Sequence, residues 1–105
     1  MYKIKLLLFV NQPIEVQIIT NGWPPSNWSR VGPGTFSLFC PRQFAGKKVF
    51  CPPVVYRDSN DVLRCFQMKE SDTTTDYLVF ENWNPETGGA EDTDSNPIPL
   101  TIELS

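Results

Sequence analysis

The sequence predicts an all-β fold, an antiparallel β-sandwich of seven to eight short strands, with a small β-barrel as the other way of closing such a chain. Two observations carry this. Apolar and polar residues alternate along short runs, and no segment keeps a helical 3.6-residue period over a useful length. Ten prolines punctuate the chain, clustered at Pro24-Pro25, Pro52-Pro53 and Pro97/Pro99. Proline fixes φ and lacks an amide donor, so it suits loops, strand ends and sheet edges. With 105 residues, 40% of them hydrophobic, the expectation is one domain over 1–105 with one core.

The strands are expected at 2–10, 14–20, 35–40, 47–51, 54–57, 62–68, 77–83 and 98–104. The first two make a hairpin across Asn11-Gln12-Pro13. Pairing Val10 with Ile14 sets Leu8 against Val16 and Leu6 against Ile18 on one face, and leaves Lys3, Lys5, Glu15 and Gln17 on the other. In the last run, Ile98, Leu100, Ile102 and Leu104 alternate with Pro99, Thr101, Glu103 and Ser105. Runs 62–68 and 77–83 are apolar on both faces, which places them centrally.

Cys40, Cys51 and Cys65 are odd in number and form no Cys-x-x-Cys pair; with no histidine in the chain, a structural zinc site is not expected. If 36–40 and 47–51 pair around Ala45-Gly46, Cys40 and Cys51 face each other and a cross-strand disulfide becomes possible in an oxidising setting. The default role of all three is that of small buried hydrophobes. The apolar run after Lys5 is too short for a signal sequence or a membrane span, and no span is expected elsewhere. The expected compartment is therefore the cytoplasm or a virion interior, with secretion requiring that a leader has been removed.

Charge is divided along the chain. Residues 1–69 hold all nine basic side chains and three acids, whereas residues 70–105 hold nine acids and no base. Such a division bears on partners and association. Catalytic chemistry is narrowed by what the chain lacks: without histidine there is no Ser-His or Cys-His pair, and no phosphate-binding glycine motif occurs. The acids fall in segments read as exposed loops, where a carboxylate makes a poor general acid. The expectation is a protein that is not an enzyme and needs no cofactor.

Two long connections remain, 21–34 and 84–97, the first expected to be ordered and the second mobile. In the first, Trp23, Asn27, Trp28 and Arg30 are the candidate binding residues: tryptophan anchors protein interfaces, and beside amides it stacks on sugar rings. In the second, Glu86, Glu91, Asp92 and Asp94 form an acidic loop suited to steering a basic partner. Asp92, Asp94 and Asn96 also have calcium-loop spacing, but Pro97 stands where the loop needs glycine. The expected function is a non-catalytic binding or assembly module for a protein partner, possibly itself, with acidic loops meeting basic strand faces. A carbohydrate-binding domain built on Trp23 and Trp28 is the alternative. A barrel binding single-stranded nucleic acid through Lys47, Lys48 and neighbouring aromatics such as Phe36, Phe44 and Phe50 is a further one.

Overall fold

A computed structural model describes residues 2–11, 13–20, 22, 27–40, 43–44, 46–69, 76–93 and 97–105. The chain forms β1 (Tyr2–Phe9), β2 (Glu15–Ile18), β3 (Asn27–Gly32), β4 (Thr35–Phe39), β5 (Val49–Phe50), β6 (Val54–Arg57), β7 (Leu63–Met68), β8 (Tyr77–Asn84), β9 (Gly89–Ala90) and β10 (Ile98–Leu104). All pairings are antiparallel and build two sheets. The smaller runs β2-β1-β10-β5; the larger runs β3-β4-β8-β7-β6, with β9 beside the end of β8. The described residues form no helix, so none is long and apolar enough to cross a membrane.

The β1–β2 hairpin has the expected register, Leu8 opposite Val16 and Leu6 opposite Ile18. A shift by one residue would turn its apolar set to solvent. β10 closes on β1 from Leu8/Ile98 to Tyr2/Leu104. Because β5 pairs with β10 at Glu103 and Leu104, Pro99 falls where that side of the strand has no paired strand among the described residues, which a residue without an amide donor tolerates.

The two sheets bring different chemistry to the core. The smaller supplies aliphatic side chains, Ile4, Leu6 and Leu8 from β1 and Ile98, Leu100, Ile102 and Leu104 from β10, all buried. The larger supplies rings. Trp28 stacks on Phe36 (centroids 5.3 Å apart) and Phe66 on Phe80 (5.6 Å), with tilted contacts between the two pairs. Offset ring pairs add to the burial energy, and branched aliphatics fill the gaps between them.

Three expectations are corrected. Residues 27–32 form a strand inside the segment read as a loop, because Trp28, opposite Leu38, buries its ring in the core. Residues 36–40 do not pair with 47–51: β4 lies between β3 and β8 in the larger sheet, while β5 pairs with β10 in the smaller. Cys40 and Cys51 are therefore buried thiols not joined in a disulfide; the Cys65 thiol is only partly buried. Residues 84–93 are an ordered turn, β9 and a hydrogen-bonded tail, where a mobile loop was expected.

Trp28 is 7% exposed, and its indole Nε1 donates to the Phe9 carbonyl at 3.2 Å, tying β3 to the end of β1. Trp28→Phe keeps a ring in the stack but strands that carbonyl. The expected loss is about 1–2 kcal/mol by chemical denaturation, with an unchanged strand content by circular dichroism.

Candidate functional site

The inward face of the larger sheet turns polar towards one end. β7 points Arg64 and Phe66 inward, and β8 points Leu78, Phe80, Asn82 and Asn84 inward, so the strand alternation carries the aromatic core directly into a row of polar side chains. Such groups remain buried only when they are paired.

Arg64 is the hub. Its Nε donates to Asp58 Oδ2 (3.1 Å) and its Nη1 to Glu91 Oε1 (2.6 Å). Asp58 is buried in the turn between β6 and β7, where its other oxygen accepts the amides of Asn60 and Val62. Those turn amides, with Arg64, hold the Asp58 carboxyl below its ordinary pKa. Glu91 also accepts from Asn84 Nδ2 (2.9 Å) and the Thr87 hydroxyl (3.0 Å). Asn84, Arg64 and Thr87 together lower its pKa. Beside this hub Tyr56 donates to Asn82 Oδ1 (2.6 Å), and Asn82 Nδ2 donates to the Glu91 carbonyl (2.8 Å).

Asp92 faces the opposite way. Arg30 grips it with two hydrogen bonds, Nε to Oδ1 (3.0 Å) and Nη2 to Oδ2 (2.7 Å), and the Gly34 amide donates to Oδ1 (2.8 Å). The guanidinium and that amide keep Asp92 below the usual carboxylate range. The pair borders a small cleft of about 150 Å³, lined also by Val10, Asn11, Ile14 and Thr93.

The candidate residues thus divide. Arg30 and Asp92, 62 positions apart, are brought together. Glu91 and Asp92 are each tied to an arginine, Glu91 partly buried and Asp92 at the surface, whereas Glu86 projects from the exposed turn after β8. Asn27 lies exposed at the start of β3, and Trp28 belongs to the core. Trp23, Asp94 and Asn96 fall outside the described residues. Both Asp92 oxygens accept hydrogen bonds, and no group of three or more metal-binding side chains occurs among the described residues. Asp58, Arg64, Asn82 and Asn84 were not among the candidates. For Arg64, Asn82 and Asn84 the signal was present as polar residues at the inward positions of strands whose other inward residues are aromatic or aliphatic; Asp58, in a turn, had no such signal.

The second surface of interest is the outer face of the larger sheet. Leu63, Cys65 and Gln67 point outward from β7, and Tyr77, Val79, Glu81 and Trp83 from β8, by the same alternation that buries their neighbours. Val55 of β6 is 64% exposed, opposite Cys65, which is opposite Trp83, which is opposite Ala90: one row across four strands. Phe39 and Tyr77 pack together at the far corner, centroids 4.8 Å apart.

Comparison with protein-family models, with curated proteins and with solved structures finds no match, so the functional reading rests on these two surfaces.

Proposed function

We propose that this protein is a non-catalytic protein-recognition or assembly module whose contact surface is the outer face of the six-stranded sheet. One observation carries the reading: β7 and β8 supply the core from their inward face and still carry Leu63, Cys65, Val79 and Trp83 on the outward one. A row of Val, Cys, Trp and Ala across four strands, with Leu63 beside it, is the composition of a contact surface. The pairing of Glu91 and Asp92 with Arg64 and Arg30 supports this shift from loop to sheet, since it leaves Glu86 as the steering acid among the described loop residues. Sugar stacking on Trp28 would require it to leave the core. The nucleic-acid reading likewise loses Phe36 and Phe44 as stacking groups, because both are buried.

The test is site-specific photo-crosslinking in the native source. A photoreactive residue at Val55 is expected to yield a protein adduct that the same residue at Glu86 does not. Adducts from Glu86 alone, or from neither position, would overturn the assignment.

A further inference from the structure

The outward side chains of β6, β7 and β8 form a grid of three strands and three rows. Cys65 is its centre, with Trp83 and Val55 beside it and with Gln67 and Leu63 before and after it along β7. Glu81, opposite Gln67 on β8, stands at one corner. Arg57, opposite Leu63 on β6, stands at the diagonally opposite corner. Strand spacing and rise put these two corners roughly 16 Å apart.

The Glu81 carboxylate has no ion pair or side-chain hydrogen bond among the described residues; it stands between Thr35 and Gln67 at the edge of the apolar row. Arg57 is held by one edge, donating to the Asp61 carbonyl at 3.0 Å with the Asp61 carboxylate 3.9 Å away, and its side chain is 58% exposed. The face therefore carries an acid and a base placed symmetrically about Cys65. That is the charge pattern of a self-complementary, isologous contact.

We propose that the outer face of the six-stranded sheet packs against the same face of a second copy of this chain, with Glu81 of each copy paired to Arg57 of the other. A two-fold axis lying between the sheets, over Cys65 and perpendicular to the Glu81–Arg57 diagonal, produces both pairs at once. The same rotation lays Trp83 over Leu63 of the second copy. It crosses the strands steeply, as in the orthogonal class of sheet packing. The apolar row excludes water and the corner charges fix the orientation, the usual division of labour in an interface. This inference rests on the sheet face being the contact surface, and it names the partner.

Sedimentation equilibrium of the full chain tests it. The wild type is expected to be a dimer. Glu81→Arg and Arg57→Glu are each expected to weaken association by at least roughly tenfold, because each sets like charges against one another at both corners. An equimolar mixture of the two variants restores opposite charges at both corners and is expected to recover a 1:1 dimer. A short bis-maleimide is expected to link the dimer through Cys65, and Cys65→Ser to abolish the link. Cys40 is buried, and burial with the nearby Glu103 charge pushes the Cys51 thiol up to about 12, so neither competes for the reagent.

A wild type that stays monomeric, or a mixture that fails to associate, overturns the proposal. The Val55 crosslink separates this failure from failure of the underlying reading. A monomeric chain with an adduct to a different protein removes the self-pairing and leaves the surface; absence of any adduct removes both.

Discussion

Replacing Arg64 with leucine is expected to lower Tm by roughly 10 °C or more. The guanidinium is set between two carboxylates, Asp58 at 3.1 Å and Glu91 at 2.6 Å, in a site where the Arg64 side chain is 9% exposed. Leucine matches the aliphatic part of the side chain, so the loss does not come from packing alone. It leaves the buried Asp58 carboxylate without its cation beside the part-exposed Glu91, and an uncompensated buried charge costs more than the intact pair contributes. The damage should reach β9, because Glu91 is also the acceptor for Asn84 and Thr87.

The pH dependence gives this prediction a second, independent readout. Asp58, Glu91 and Asp92 all have folded-state pKa values below their ordinary ones. Each contributes stability that is complete above the unfolded value, near about 4, and that is lost as pH falls through the folded value. The wild type should therefore lose stability below about pH 4. In Arg64→Leu, acidification neutralises carboxylates that the substitution has left without their cation, so the gap to wild type should narrow as pH falls towards that value. An unchanged Tm, or a gap independent of pH, contradicts the assignment of Arg64 as the hub.

The second large effect is expected at Gly34. It has φ of 59°, in the left-handed region, and a Cβ built on it would lie within 2.6 Å of the Glu91 carbonyl carbon. The close approach is functional for the fold: the Gly34 carbonyl accepts from the Asn82 amide (2.7 Å), its amide binds Asp92, and the Glu91 amide donates to the Asn82 carbonyl (2.9 Å). Here the β3–β4 turn, β8 and the segment after β9 meet with no room for a side chain. Gly34→Ala is expected to cost roughly 2–4 kcal/mol, combining the left-handed backbone penalty with displacement of Glu91. Chemical denaturation measures the loss, and hydrogen exchange at the Glu91 amide should accelerate with it. A neutral result, or the small gain that Gly→Ala gives at an unstrained site, would show that the approach is looser than described.

Much of the scaffold was legible because strand alternation and burial enforce one another. The Leu8–Val16 and Leu6–Ile18 register follows from the pattern alone, since any slip exposes it, and β10 reads the same way. Connections were harder to read. Residues 27–32 look like a loop beside Pro24-Pro25 and Pro33, yet Trp28 needs the aromatic stack and draws the segment into the sheet as an edge strand. Cys40 and Cys51 looked like cross-strand neighbours because their local spacing fits a hairpin, but pairing partners are chosen by the whole core, and β8 and β10 took them.

The candidate site was less legible for a related reason. An acidic segment following a basic one resembles two surfaces waiting for partners. In the folded chain, four of those groups satisfy each other across long sequence separations: Arg30 with Asp92, and Arg64 with Glu91. Only three-dimensional proximity reveals that the charges are spent internally. Glu81, with no ion pair among the described residues, stands on the outward face and is balanced across Cys65 by Arg57, itself held on one edge by Asp61.

That surface, in preference to the loops, is the centre of the account, and a dilution series followed by amide NMR tests it most directly. On raising the protein concentration, shifts are expected to be confined to Val55, Arg57, Leu63, Cys65, Glu81, Trp83 and their immediate neighbours. Shifts concentrated in residues 84–93 or on the four-stranded sheet, with the β6–β8 face unaffected, would contradict it.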